Sequence, residues 1–180
     1  MSEKRKDGEK TWAARRLELR ADCQRCFALC CVAPAFSTSA EFALTKKAGQ
    51  PCPHLQASCR CVIHARLRQR GFRGCVVYDC FGAGQKISQE MFEGQSWQGN
   101  AQRAQRMFEA FALMRDLHEL LWYTNEALAL PAARPLHEEL GHALASLEQL
   151  THVSVDEFLR LDLATHRQRV NTLLAQASEL

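Results

Sequence analysis

The sequence predicts a mainly α-helical protein in which an irregular, cysteine-rich module is followed by a three-helix antiparallel bundle. Two observations carry this prediction. All nine cysteines of the 180 residues lie between Cys23 and Cys80, in a stretch that glycines and prolines interrupt and in which no apolar periodicity persists. From residue 101 onward, apolar side chains recur instead at the spacing of three and four residues that a helix requires. The chain therefore has two chemically unlike parts.

Changes in composition divide the chain into four predicted segments. They are a solvated N-terminal tail (1–19), the cysteine-rich module (20–84), a connector with one helical turn (85–100) and the helical bundle (101–180). Within the module, the apolar run from Cys75 to Tyr78 is the best strand candidate. Residues 65–70 are compatible with a short helix that Gly71 ends. Such a module buries little core, and small modules of this kind usually depend on a metal or another cross-link.

Three helices are predicted in the last 80 residues. The first spans 101–130 and ends at Pro131, because proline cannot continue a helix. Pro135 suits the first turn of the second helix. Ser154 and Glu157 form a capping box, in which each side chain satisfies a free amide, and this box is predicted to open a third helix that runs to about residue 177. Short links between the three helices favour antiparallel packing.

The sequence also predicts a cytoplasmic protein with no membrane partner. It contains no run of about 20 apolar residues, the length that a spanning helix needs, and its first 20 residues lack the apolar core of a secretory signal. The cytoplasm keeps thiols reduced, so dense cysteines there bind metals more often than they form disulfides. The odd number of cysteines also fits poorly with a closed set of disulfides.

Charge is distributed unevenly along the chain. Residues 23–80 carry eight basic and two acidic residues, whereas residues 81–180 carry eight basic and thirteen acidic ones. A basic region can indicate a nucleic-acid partner. It can equally offset the negative charge of metal-bound thiolates, and we favour this second interpretation. The predicted partner is therefore a metal ion, nucleic acid is disfavoured, and the helical bundle is a candidate surface for a protein partner.

The spacing of the first cysteines indicates a metal site. Cys23 and Cys26 are separated by two residues, so a single turn can direct both sulfurs at one ion. Adjacent Cys30 and Cys31 are harder to place on one ion, because neighbouring side chains diverge; two neighbouring metals or one multinuclear cluster would use them better. The alternative is that this i, i+3, i+7 pattern is the apolar stripe of a helix, since buried cysteine packs as a small hydrophobe.

The cysteine string resembles a known family. The motif C-x2-C-x3-C-C, then Cys52-Pro-His-Leu, Cys61-Val-Ile-His and Arg73-Gly-Cys75, is similar to the bacterial YkgJ-like zinc- or iron-chelating domains with a CxxCxxCC motif. The resemblance covers about residues 20–82. This sequence departs from the family in its longer first gap, in His64 where tyrosine is usual and in Gly74-Cys75-Val76 where the family has Pro-Cys-Arg. A resemblance of this kind implies a metal-chelating role.

The same resemblance sorts the cysteines. Eight fall on positions of the family pattern: Cys23, Cys26, Cys30, Cys31, Cys52, Cys61, Cys75 and Cys80. We hypothesise that they form two four-coordinate sites and that Cys59 is a spare thiol. His54 and His64 lie close to Cys52 and Cys61 in sequence and are possible nitrogen ligands. Almost the whole chain also resembles the N-terminal region of actinobacterial pentapeptide-repeat proteins, but it has no tandem repeat, so nothing about a repeat β-helix carries over.

The predicted function is metal binding through clustered cysteine thiolates, with zinc or iron in a structural or chelating role. The alternatives are an iron–sulfur redox protein and a zinc-stabilised interaction adaptor, because four thiolates suit zinc and iron–sulfur centres alike. Cys61 and His64 are the minimal pair for a thiol nucleophile, and whether the chain is an enzyme stays open. The Gly82-Ala83-Gly84 stretch lacks the rest of a phosphate-loop motif and is better interpreted as a tight turn.

Overall fold

The computed structural model describes residues 11–180 and confirms a mainly α-helical fold. Within this range the only β-type pairings are two isolated antiparallel bridges, Phe36 with Lys46 and Leu55 with Cys61. The α-helices are α1 (Trp12–Glu18), α2 (Leu29–Val32), α3 (Arg73–Val77), α4 (Ala83–Gln85), α5 (Ala101–Ala129), α6 (His137–Leu150), α7 (Val155–Phe158) and α8 (Leu163–Ser178). Two 3₁₀ helices (His64–Arg66 and Pro131–Leu136) and one π-helix (Lys86–Met91) complete the set.

Helices α5, α6 and α8 are the longest, and each packs against the other two. Helix α5 begins where predicted, because the Asn100 side chain accepts a hydrogen bond from the Arg103 amide and caps the first turn. It ends immediately before Pro131, which is also as predicted. The three helices thus share one core, while their antiparallel order stays a prediction.

The hydrophobic core extends beyond these three helices. Leu29 and Val32 of α2, Ala83 of α4 and Ile87 of the π-helix are fully buried in the same cluster as the apolar faces of α5, α6 and α8. Helices α2 and α4 both contact α5. The cysteine-rich part therefore packs on the long helices and shares their core. No helix within residues 11–180 is long and apolar enough to cross a membrane.

The prediction of one continuous third helix is wrong. The capping box of Ser154 and Glu157 is present, but it opens only the single turn of α7. The chain then leaves the helix, and Asp162 caps a new one by accepting a hydrogen bond from the Ala164 amide. A second N-terminal cap eight residues after the first competes with helix continuation, and the burial of Phe158 fixes the turn between them.

The strand predicted from Cys75 to Tyr78 is also wrong, because residues 73–77 form α3. Short apolar runs do not distinguish strand from helix by pattern alone. Here no neighbouring strand among the described residues offers a partner. The helical turn is closed locally, by the hydrogen bond from the Tyr78 amide to the Gly74 carbonyl. Gly74 also lies against the Phe42 ring, which a Cβ atom would meet at 2.2 Å.

Part of the predicted solvated tail is structured. Residues 12–18 form α1, which contacts α5, and the following Leu19 is buried. The Arg15 Nε lies 2.6 Å from Glu148 Oε1 on α6, and the side-chain Nδ2 of Asn125 donates a hydrogen bond to the Trp12 carbonyl. Residues 1–10 of the predicted tail lie outside the described residues. The second half of the predicted tail is therefore helical and packs on α5 and α6.

Candidate metal centre

All nine cysteines lie within the described residues, and all are free thiols. Three short stretches carry them, residues 23–31, 52–61 and 75–80. The first two stretches are joined by a hydrogen bond of 3.0 Å from the Cys52 amide to the Cys31 carbonyl. An isolated bridge between Leu55 and Cys61 closes the second stretch into a loop. Backbone pairing therefore brings together cysteines that are far apart in sequence.

A first group consists of Cys23, Cys26, Cys30 and Cys80. Burial raises the pKa of Cys23, and the neighbouring thiol of Cys80 raises it further. The pKa of Cys26 rises to about 11, chiefly through burial and again with a contribution from Cys80. The sulfurs of Cys26 and Cys80 both face Gly84, where a Cβ atom would lie 2.7 Å and 3.8 Å from them. Glycine at this position leaves the space that the two sulfurs occupy.

A second group consists of Cys31, Cys52, Cys61 and Cys75. Desolvation is the largest cause of the raised pKa of the last three thiols, and the Cys31 sulfur raises all three further. Cys52 contributes to the raised pKa of Cys61, and both contribute at Cys75, whose pKa reaches about 11. Mutual repulsion of this kind requires neighbouring sulfurs. Cys31 is thus the thiol that acts on all three other members of the second group.

The two groups meet at Cys30 and Cys31. Each thiol of this pair is the largest influence on the pKa of the other, which is raised at Cys30 and lowered at Cys31. The Cys31 sulfur also raises the pKa of Cys23 in the first group. Two neighbouring sites, or one multinuclear site, would both fit this junction.

Backbone amides are oriented towards several of the sulfurs. The amide of His54 donates to the Cys52 sulfur and the amide of Ile63 to the Cys61 sulfur, and each bond lowers the pKa of that thiol against the larger effect of burial. Cys26 receives two such bonds from the amides that follow it. Amide hydrogen bonds favour the thiolate over the thiol. These bonds therefore offset only part of the effect of burial, which favours the neutral thiol at all three cysteines.

Cys59 differs from the other eight. It adopts a left-handed backbone conformation with φ of +58°, which few residues other than glycine tolerate. Burial raises its pKa, and Cys31 is the one other thiol that contributes. Of the two histidines considered as ligands, the His54 ring packs edge-on against Phe72 with centroids 5.3 Å apart, and His64 is exposed at the start of a 3₁₀ helix.

The thiols are grouped but do not form a complete metal site. Between residues 11 and 180, no three side chains among His, Cys, Asp and Glu are placed so that they could hold a metal ion. Zinc requires four ligands, with sulfurs at about 2.3 Å from the ion. Thiolates repel one another until a cation neutralises them, so binding and final closure of such a site are coupled. The donor chemistry of eight thiols in two sets of four fits zinc or iron.

Lys46 lies beside the second group and was not singled out by the sequence pattern. Its side chain is buried, with 5% of the residue exposed. The Nζ atom donates to three backbone carbonyls, those of Val32 at 3.0 Å, Lys47 at 3.1 Å and Gln50 at 2.9 Å. Three acceptors match the three N–H groups of an ammonium ion, whereas a neutral amine has only two. The hydrogen-bond pattern therefore indicates a buried positive charge.

The charge of Lys46 acts on the neighbouring sulfurs. Burial lowers the pKa of Lys46, and Cys52, Cys31 and Cys30 oppose that shift. In return, Lys46 lowers the pKa of Cys31, in the same direction as the larger effect of Cys30, and lowers the pKa of Cys52 against the larger effect of burial. The ammonium also lies 5.5 Å from the centre of the Phe36 ring. No motif marks this lysine, and only its folded surroundings reveal its position.

The predicted connector supports the loop that carries Cys23 and Cys26. Its side chains reach the backbone of residues 20–27 through hydrogen bonds of 2.7–3.0 Å. The pairs are the Asp22 amide with Gln85, Gln85 with the Arg20 carbonyl, Gln89 with the Arg25 carbonyl and Trp97 with the Phe27 carbonyl. Residues 85–97 are therefore part of the site's framework, which sequence analysis missed because side-chain to backbone contacts across 60 residues leave no periodic pattern.

Ser88 is the member of this segment that approaches a thiol. It is fully buried in the π-helix Lys86–Met91, accepts a hydrogen bond from the Phe27 amide at 3.1 Å and donates to the Cys26 sulfur, where it lowers the pKa. Single π-turns occur frequently at functional sites. The π-helix therefore places the Ser88 hydroxyl close to Cys26.

Four arginines of the cysteine-rich part are exposed. None of them, Arg66, Arg68, Arg70 and Arg73, forms an ion pair with a described residue. The apolar side chains of Val62, Val76 and Val77 are exposed in the same stretch of the chain. Residues 62–77 therefore present both basic and apolar side chains to solvent.

The chain is similar to a curated bacterial protein. It shares 48% identity over 163 residues with the uncharacterized protein YybG of Bacillus subtilis (strain 168). The matched region is 91% of this chain and 58% of that protein, so the chain spans a little over half the length of its relative. No family model matches the chain, and no solved structure matches it. The name of this relative states no activity.

Proposed function

We propose that this chain binds zinc or iron through two adjacent groups of four cysteine thiolates, and that the bound metal holds residues 20–84 in place. One observation carries the proposal: all nine free thiols lie in three short stretches, and the first two of these stretches are joined by the hydrogen bond from the Cys52 amide to the Cys31 carbonyl. Chelation is also the role implied by the resemblance to the YkgJ-like domains.

The small core of the cysteine-rich part supports a structural role for the metal. Between residues 20 and 84, the buried apolar side chains are Leu29, Val32, Ile63, Phe72 and Ala83. The elements there are single turns, joined by loops that include several residues with positive φ. A core of this size stabilises a compact state poorly. Metal binding would contribute the missing free energy, since the binding free energy of a structural metal is also folding free energy.

We further propose a cytoplasmic location, which suits nine free thiols. Reducing compartments keep cysteines available for metal, whereas oxidising ones pair them as disulfides. In the proposed state each metal is surrounded by four sulfurs and has no open position, which suits a structural or chelating site better than a catalytic one.

An iron–sulfur redox protein is the second candidate, favoured by the junction of Cys30 and Cys31. Two adjacent cysteines suit a multinuclear cluster as well as two separate ions. The two candidates differ in colour, because iron ligated by cysteine absorbs visible light and zinc does not. A zinc-stabilised adaptor is the third, and the exposed basic and apolar surface around residues 62–78 is the observation that favours it.

Metal analysis and a visible spectrum of protein purified without oxygen test the proposal. We expect about two metal ions per chain if each set of four thiols holds one ion (a tetrahedral zinc site uses four ligands). Zinc without visible absorption supports the structural or chelating role. Iron with acid-labile sulfide supports the iron–sulfur redox protein instead. Protein that binds no metal after anaerobic reconstitution with zinc or iron contradicts the proposal.

Two serine variants provide the matched comparison. Cys30→Ser removes a thiol of the first group, and Cys59→Ser removes the thiol outside both groups. We expect the first variant to lose about half of the bound metal if the sites are separate, or more if they share ligands. The second should retain the full amount. An equal loss of metal in both variants would contradict the division of the cysteines.

A further inference from the structure

Gly84 lies next to the sulfurs of two cysteines that are far apart in sequence. A Cβ atom on Gly84 would lie 2.7 Å from the Cys26 sulfur and 3.8 Å from the Cys80 sulfur. The first of these distances is shorter than Cβ atoms in folded proteins approach other atoms. The two sulfurs therefore border one small space, and that space is open because residue 84 has no side chain.

The backbone conformation does not require a glycine at position 84. The residue lies in α4 with helical backbone angles, whereas the neighbouring Gly82 has a φ of +78°. Alanine is more favourable than glycine within a helix, because glycine loses more conformational freedom on folding. Outside its own helix and chain neighbours, the three atoms nearest to the Cβ position all belong to Cys26 and Cys80. The thiols are thus the physical reason for a glycine here.

Both cysteines are held against one continuous segment, residues 80–91. The Cys80 carbonyl accepts a hydrogen bond of 2.8 Å from the first amide of α4. Cys26 is held through its neighbours: the carbonyl of the preceding residue accepts a bond of 2.8 Å from the Gln89 side chain, and the amide of the following residue donates to the Ser88 hydroxyl at 3.1 Å. Helix α4 in turn packs on α5. The polypeptide itself therefore brings the two sulfurs together.

Two sulfurs that border the same space suit a shared metal ion. Neighbouring sulfurs on one tetrahedral zinc ion lie about 4 Å apart, and rotation about χ1 moves a cysteine sulfur without moving the backbone that holds it. We infer that Cys26 and Cys80 bind the same metal ion and that Gly84 is a positioning residue that keeps room for their sulfurs side by side. This inference rests on the proposed function and adds to it one pair of ligands and the residue that accommodates them.

Reciprocal protection tests whether the two cysteines share an ion. Reduced protein is labelled with a thiol-alkylating reagent without oxygen, with and without zinc, and tandem mass spectrometry of its peptides reports each cysteine. We expect zinc to slow the labelling of Cys26 and Cys80 in the wild-type chain. Cys80→Ser should abolish the protection of Cys26, and Cys26→Ser should abolish that of Cys80. Cys59→Ser is the matched control and should leave both cysteines protected.

A double-mutant cycle tests the role of Gly84. Gly84→Ala should raise the zinc concentration that half-protects Cys26 and Cys80 by about tenfold or more, the usual cost of disturbing groups that orient metal ligands. It should also lower the unfolding midpoint of the zinc-loaded chain. In the Cys26→Ala background the sulfur that the new methyl group would meet is absent, so Gly84→Ala should lower the midpoint no further. Gly141→Ala is the matched control, because nothing lies within 4 Å of its Cβ position in α6, and it should leave zinc binding unchanged.

The outcomes separate this inference from the proposed function. If neither zinc nor iron slows the labelling of any cysteine in the wild-type chain, the proposed function fails and the inference fails with it. If metal protects the wild-type cysteines but Cys80→Ser leaves Cys26 fully protected, the shared ion is overturned and the proposed function stands.

The role of Gly84 has its own contrary result. An equal loss of stability from Gly84→Ala in the wild-type and Cys26→Ala backgrounds would show that the glycine is needed for another reason, and would overturn that role. Should Gly84→Ala alone not fold, the double variant decides: folding restored by Cys26→Ala supports the role of Gly84, and a double variant that stays unfolded overturns it.

Discussion

The cysteine-rich part and the long helices are held together in different ways. In α5, α6 and α8, apolar side chains recur on one face and bury a continuous core. The cysteine-rich part consists of single turns, positive-φ corners and grouped thiols, and it adds only a few residues, such as Leu29 and Val32, to that core. The comparison shows how a sequence can combine a part that folds by burial with a part that depends on cross-links.

Metal removal should give the largest difference between the two parts. We expect a chelator to expose residues 20–84 to protease while the long helices keep most of their circular dichroism signal. The reason is that structural zinc contributes on the order of 10 kcal/mol of binding free energy to small domains, whereas the helices bury their own core. Loss of all helical signal at the same chelator concentration would show that the shared core makes the whole chain one cooperative unit.

A cavity in α5 should destabilise the chain whether or not metal is bound. Leu117 is fully buried, so Leu117→Ala should lower the free energy of unfolding by about 2–5 kcal/mol. Leu17→Ala is the matched control, because 71% of Leu17 is exposed, and it should change stability by less than about 0.5 kcal/mol. Denaturant titration measures both. If the cost of Leu117→Ala vanished in metal-free protein, the helices would not fold independently of the cysteine-rich part.

Acid should weaken the contact between the two parts through His118. Burial lowers the pKa of His118 to about 4, although its Nδ1 hydrogen-bonds the Phe81 carbonyl at 2.7 Å and Lys86, Glu90 and Glu18 also act on it. The unfolded chain therefore binds one more proton between about pH 6.5 and 4. The contribution of His118 to the free energy of unfolding is constant above pH 6.5. The free energy of unfolding then falls by about 3 kcal/mol as the pH drops from 6.5 to 4.

The variant His118→Gln isolates this effect, since glutamine can still donate to the Phe81 carbonyl but does not titrate. The difference in unfolding free energy between wild type and variant should shift in favour of the variant as the pH falls from 7 to 4. Denaturant titrations at several pH values measure it. A difference that is independent of pH would show that His118 is accessible to protons in the folded chain.

The smallest predicted effect concerns the cap of α7. Ser154→Ala removes the hydroxyl that accepts from the Glu157 amide and should cost about 1 kcal/mol. Because α7 lies in the helical part, metal content should not change. Thermal unfolding of the zinc-loaded protein measures the loss, and an accompanying loss of zinc would show that the two parts are coupled through this turn.

Much of the helical part could be predicted from the sequence. The bounds of α5 follow from its apolar spacing, from Asn100 and from Pro131, all of which are local signals. The capping box at Ser154 is present as predicted, yet the length of the helix after it is not, because Asp162 and the burial of Phe158 decide where the chain turns. Local sequence patterns predict where a helix starts more reliably than they predict where it ends when its end depends on packing in the core.

The candidate site divides in the same way. Sequence and family resemblance selected eight cysteines; their division into two sets of four and metal binding itself both stay predictions. Lys46, Ser88 and the glutamines at positions 85 and 89 were missed. Each of these side chains forms hydrogen bonds with backbone groups that are distant in sequence or that follow no regular spacing. No motif in the sequence could therefore indicate them.

By itself, the sequence determined the helical class, the ends of α5 and the confinement of the thiols to one stretch, because these depend on periodicity, on capping and on composition. Only the tertiary structure decided that residues 73–77 are helical, that the sulfurs of Cys26 and Cys80 both lie next to Gly84, and that Lys46 is buried with its ammonium bonded to three backbone carbonyls. Those features depend on contacts between distant segments, and the free energy of such contacts is settled only when the whole chain packs.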